Sequence, residues 1–199
     1  VIGVLIGAVA GGCSSGSSGA VLPEPTSLAP ETVPVASTEA PTTITTVDPA
    51  TLPQTDERPV ATGTDFDARA AALWQAVVAD DPSLAMPAFF PLAAYQQVKA
   101  VNDPAADWHN RLVAAYEADI HTLHRKLGAE AATATFESLS VPDAAVWVTP
   151  GKEYNKLPYW RVYGSTLDYS VGGVPHSFPV SSLISWRGQW YVVHLGAIR

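Results

Sequence analysis

All six Trp, all seven Tyr, all five Phe and all five His lie beyond residue 63. A chain builds a core only where it has large apolar side chains to bury, so the amino-terminal 63 residues must do something other than fold. They divide again by composition: residues 1–13 are apolar and small, and residues 14–63 are rich in Ser, Thr, Pro and Ala. The remaining 136 residues, 64–199, suffice for one independently folding domain and are too few for two ordinary ones.

The first thirteen residues carry their own signal. Residues 1–12, VIGVLIGAVAGG, are shorter than the ~20 residues needed to span a bilayer, but match the apolar region of an export signal. With no Met and no basic region ahead of them, the sequence is expected to begin partway into a precursor. The run AGGC at residues 10–13, followed by SSGSSG, resembles a bacterial lipobox, although Ala10 stands where such motifs more often carry Leu. The resemblance implies that Cys13 is diacylated and becomes the mature amino terminus, because two acyl chains give durable attachment where one does not. The expected location is the extracytoplasmic side of a cell membrane, lipid-anchored. The alternative is a soluble exported protein in which Cys13 is incidental. As Cys13 is the one cysteine, no intrachain disulfide is available.

Residues 20–63 contain eight prolines at irregular spacing, which remove backbone donors and favour extended conformers. Their scattered Val, Leu and Ile never form an amphipathic face, so a partly stiff tether is expected. Residues 1–63 hold one basic and six acidic residues, and residues 64–199 hold ten basic and thirteen acidic, so most of the net charge of -8 is on the tether. No basic run and no nucleic-acid-binding spacing occurs, which argues against a nucleic-acid partner.

Within the domain, Trp108, Leu112, Tyr116, Ile120, Leu123 and Leu127 recur every three or four residues, one face of a long helix. Asp103 and Pro104 predict its start and Gly128 its end. A first helix over 64–80, capped by Thr64, buries Phe66, Ala70, Leu73, Trp74, Val77 and Val78. Residues 83–101, broken by Pro87 and Pro91, predict an irregular connection packed over the core or, alternatively, a pocket wall. From residue 132 the period changes to two. Strands are expected over 133–141, 145–149, 159–171, 174–186 and 190–195, with a hairpin at Gly172-Gly173 and a tight turn at Arg187-Gly188. Pro175 and Pro179 suggest an edge or a bulge in the fourth. The fold class is α+β: amino-terminal helices packed on a twisted antiparallel sheet.

Helices first, then strands closing in SLISWRGQWYVVHL, resemble the NTF2-like (SnoaL-like) superfamily over residues 65–197, which implies a cone-shaped domain. The tether with its lipobox also resembles actinobacterial-type lipoproteins. Superfamily members include small-molecule isomerases and non-catalytic binding domains, so the resemblance implies no single activity.

The candidate chemistry is sparse. Glu117, His121 and His124 share one side of the long helix, where they could ligate a metal, but the plainer reading is a solvated helix edge. If the resemblance holds, Asp119 entering a cavity could be a general base, and Asp168 with His194 would be its counterparts on the sheet. Trp147, Tyr159, Trp160 and Trp186 could form an exposed aromatic platform for an envelope protein or a glycan, or simply pack against the helices. No nucleophile motif or phosphate loop occurs, and no cofactor is expected. The favoured expectation is a membrane-anchored binding or accessory protein. The alternative is a small-molecule enzyme or carrier using a cavity carboxylate and histidine.

Overall fold

The computed structural model describes residues 47–198. Cys13, the apolar segment before it and the tether up to residue 46 lie outside the described residues.

Helix α1 (Thr64–Ala79) leads through a 3-10 turn (Pro82–Ala88) to the short α2 (Leu92–Val98). A long helical rod follows: α3 (Pro104–Asp107), a π-helical stretch (Trp108–Val113) and α4 (Ala114–Leu127). Asp103 caps the rod as its sequence predicts, accepting from the Ala106 amide at 2.9 Å. The stripe from Trp108 to Leu127 is buried throughout. Only the π-helical stretch departs from expectation. Trp108, Leu112, Tyr116 and Ile120 are spaced by four, and four residues overshoot one α-helical turn by about 40°. One wide π turn takes part of that drift back, keeping the stripe on the sheet. At the start of α1 the expected cap is displaced by one residue: Gly63, at φ 99°, holds the N-cap position without a side-chain bond, and Thr64 is the first helical residue.

The sheet is antiparallel and curved into a half-barrel, against which the helices pack. Its spine is a ribbon of β3 (Tyr159–Val171) and β4 (Val174–Trp186), turned at Gly172-Gly173 with both φ values positive, as a type I′ hairpin requires. β1 (Thr135–Ser140) and β2 (Val146–Val148) lie end to end along the other edge of β3. β5 (Gln189–His194) pairs only with Ser182–Trp186 of β4. Pro175 and Pro179 thus fall where β4 has β3 on one side and no strand on the other, so their missing N–H groups cost no ladder bond. Trp74 of α1 packs on Tyr169 at 5.1 Å and Phe89 on Tyr116 at 4.5 Å, which joins helices and sheet in one core.

One expectation is borne out here and one is corrected. The connection over 83–101 packs over the core through its Phe pair: Phe89 and Phe90 are fully buried, and the Phe90 amide donates to Val192 O along the edge of β5, while Tyr95 and Lys99 further along face a cavity. The packed chain also begins before residue 64. Ala50 and Pro59 are buried, and the Gln54 side chain donates to Ser185 O at 3.1 Å while accepting from the Arg187 amide at 2.8 Å. Residues 48–62 are a strap on the sheet, held by long-range hydrogen bonds that proline-rich composition does not reveal.

Candidate functional site

A cavity of about 500 Å³ opens where α2, the π-helical stretch, the loop between β2 and β3, and strands β3 to β5 meet. Its size is in the range usual for small-molecule sites. From the sheet come cross-strand neighbours: Arg161 opposite Ile184, Tyr163 opposite Ser182, and Ser182 opposite His194. Directly opposed residues project to the same side, so this row forms one wall. An extra residue in β5, Val193, breaks register between Ser182 and Leu183, and both Val193 and His194 line the space.

The helices supply the opposite wall. Tyr95 lies on α2, and Lys99 ends it as C-cap. Arg111 and Leu112 come from the π-helical stretch, whose irregular turn is a common device at functional sites. Arg111 grips Asp107 with two bonds, Nε to Oδ1 at 2.7 Å and Nη2 to Oδ2 at 2.6 Å, and donates to the Tyr95 hydroxyl at 3.2 Å. Tyr95 in turn donates to Asp107 Oδ2. The guanidinium holds the Asp107 carboxyl below the usual range, while burial and then the Asp107 bond push the Tyr95 phenol up.

Loop 149–158 brings the acid. Asn155, only 2 % exposed, ties the loop together: its amide donates to Thr149 O and Leu157 O and its carbonyl accepts from the Glu153 amide. Glu153 then projects to Arg161, with which it forms an ion pair, and its Oε2 accepts from the Tyr159 hydroxyl at 2.7 Å. Lys99 Nζ donates to Glu153 O at 3.0 Å and reaches the Tyr159 hydroxyl at 3.5 Å. Burial, with the positive charge of Arg111 second, lowers the Lys99 ammonium to about 8. Burial also pushes the Tyr159 phenol up.

Four cationic residues, Lys99, Arg111, Lys152 and Arg161, thus line a space whose acids are Glu153 and, behind Arg111, Asp107. Over residues 64–199 acids outnumber bases thirteen to ten, so this balance is local and opposite to the domain's own.

The three residues expected to carry catalysis do not meet. His194 lines the cavity, with Nδ1 2.8 Å from the Ser182 hydroxyl. Asp119, 9 % exposed, accepts from the Gly196 amide at 2.9 Å and so fastens the segment after β5 to α4. Asp168 accepts from the hydroxyls of Ser138 and Ser140 at 3.2 and 2.5 Å, pinning β1 to β3 beside a shallow groove. Both carboxylates therefore tie elements of the fold together.

The aromatic platform is likewise dispersed. Tyr159 and Trp186 are each 1 % exposed. Trp186 Nε1 donates to Pro49 O at 3.0 Å. Trp147 and Trp160 meet at 5.2 Å with their rings tilted by 55°, but Arg58 of the strap covers Trp160, whose Nε1 donates to Asp56 O. Three of these four side chains meet the cavity or the strap through their polar edges. His121 and Asp80 pair at 2.7 Å on the surface, both more than two-fifths exposed, and His124 Nδ1 lies 2.9 Å from Val77 O. Glu117 is exposed beside them. Among the described residues no group of three or more His, Cys, Asp or Glu could hold a metal ion.

Tyr95, Lys99, Arg111, Glu153 and Arg161 were not singled out in the sequence. A lysine between the apolar residues Val98 and Ala100, at the end of a short helical stretch, is the one local signal that could have found any of them. Comparison with known protein families, curated proteins and solved structures finds no match to this chain.

Proposed function

We propose that the domain is an NTF2-like small-molecule receptor or carrier whose ligand is a partly apolar anion, a carboxylate or phosphate on a ring or short hydrocarbon. The cation excess of the cavity carries this reading: Asp107 and Glu153 offset Arg111 and Arg161, and Lys99 and Lys152 remain without a carboxylate partner among the cavity's acids, in a domain that is otherwise net acidic. Leu112, Ile184 and Val193 supply apolar surface beside the charged groups, a combination that orients one end of an amphipathic ligand. Titration calorimetry of the full chain with 2-naphthoate tests it. Saturable one-to-one binding, stronger than that of neutral 2-methylnaphthalene by about tenfold or more, is expected from one charge-assisted contact. Equal affinity for the two compounds would refute the anion reading.

The same proposal places the domain outside a cell membrane, tethered by lipid on Cys13. The apolar run ending in AGGC and the proline-rich spacer support it. Intact-mass analysis of the protein from its native membrane should show a diacylated mature chain beginning at Cys13. An unmodified thiol on protein recovered in the soluble fraction would contradict the tether and leave the cavity reading untouched.

A further inference from the structure

We propose that Lys99 is a carbonyl-reactive amine, which condenses with the aldehyde or ketone of a small anionic ligand to form a protonated Schiff base within the cavity. The inference deepens the receptor reading and rests on it.

The geometry is that of an amine with its own proton relay. Lys99 Nζ lies 3.5 Å from the Tyr159 hydroxyl, and that hydroxyl donates to Glu153 Oε2 at 2.7 Å. Arg161 occupies the other carboxylate oxygen, so Oε2 stays directed at the phenol. An ammonium proton moving to Tyr159 Oη, as the phenol proton moves to Glu153, leaves a neutral amine facing the cavity. The backbone bond to Glu153 O and the Tyr159 ring, 5.5 Å from Nζ, fix the direction of approach.

The step balances without a further reactant. The Nζ lone pair forms a bond to the carbonyl carbon as the C=O π pair moves onto oxygen. The relay returns its proton to that oxygen, a second proton leaves nitrogen for the same oxygen, and the C–O bond breaks. One ammonium and one carbonyl become one iminium and one water. Nothing is oxidised or reduced. The iminium keeps the single positive charge of the lysine, so the surrounding charges, Arg111, Arg161, Asp107 and Glu153, meet the same electrostatics before and after.

The protonation state suits the chemistry. With Lys99 at about 8, roughly a quarter of the amine is neutral at pH 7.5, against about one part in a thousand for an exposed lysine. Burial of this kind is a recognised route to a nucleophilic lysine.

Reductive trapping with 6-formyl-2-naphthoate and cyanoborohydride, followed by peptide mapping, tests the proposal on the full chain. The four lysines are Lys99, Lys126, Lys152 and Lys156, so the other three are internal controls. Lys99 should be labelled at least tenfold faster than each of them at pH 7.5, and 2-naphthoate should suppress that labelling alone. Lys99→Arg should remove the label while far-ultraviolet circular dichroism stays native. Tyr159→Phe should leave the label on Lys99 but slow it several-fold and flatten its rise between pH 7 and 9. Equal labelling of all four lysines overturns the proposal, and if 2-naphthoate still binds, the receptor reading survives. Loss of both labelling preference and 2-naphthoate binding overturns the two together.

Discussion

A chain shortened to begin at Thr64 is expected to lose about 3–5 kcal/mol of stability relative to one beginning at Thr45, read from urea denaturation. Four residues of the strap supply five carbonyl or amide contacts to buried or half-buried partners. Trp186 donates to Pro49 O, Trp160 to Asp56 O, and Gln97 to Ala50 O, while Gln54 joins Ser185 and Arg187. Each bond contributes about 1 kcal/mol net, and leaving the indole N–H of Trp186 unsatisfied costs rather more. Burial of Ala50 and Pro59 and the stacking of Arg58 on Trp160 at 5.4 Å add to this, and the ordering entropy of the strap offsets part of it. Trp186→Ala in the full-length chain should be comparably damaging, about 3–5 kcal/mol, because the indole is fully enclosed and touches Phe90 edge-on. An unchanged midpoint for the shortened chain would mean that residues 48–62 are spectators.

The second large effect concerns the ligand. Arg161→Met is expected to weaken 2-naphthoate binding at least a hundredfold, about 3 kcal/mol. Arg161 does two things at once. Its guanidinium is a donor facing the cavity, and its ion pair with Glu153 keeps a carboxylate from repelling an incoming anion. Losing a charge-assisted contact costs about 1.5–3 kcal/mol, and the exposed Glu153 adds repulsion in the same direction. Glu153→Gln should act oppositely and tighten binding several-fold, since it removes the competing anion and leaves every cation in place. The opposite signs separate an electrostatic role from general damage to the loop. If both variants weaken binding equally, Arg161 and Glu153 matter only as a structural tie.

Much of the architecture was legible because local signals carried it. Asp103 and Pro104 start the rod, two glycines turn β3 into β4, and the stripe from Trp108 to Leu127 marks the helix face that meets the sheet. The domain boundary was not legible, since Gln54 and Asp56 bind partners more than a hundred residues away and contribute polar atoms rather than a hydrophobic pattern. The tryptophans show the same limit. Aromatic content announced a surface, yet the indole N–H groups of Trp160 and Trp186 were committed to the strap. Among the candidate residues, His194 lines the cavity whereas Asp168 lies at a separate groove and binds Ser138 and Ser140, a difference set by position along the strands that the sequence does not show. The site itself draws Lys99, Glu153 and Arg161 from a helix end, a loop and a strand. No spacing in the sequence joins them, because their meeting depends on how the half-barrel closes over α2.

A crystal structure of the domain soaked with 2-naphthoate tests the central claim most directly. The account predicts the carboxylate within hydrogen-bond reach of Lys99 or Arg161, with the rings against Ile184 and Val193. Rings seated instead on Trp147 and Trp160, with the cavity holding only water, would contradict it.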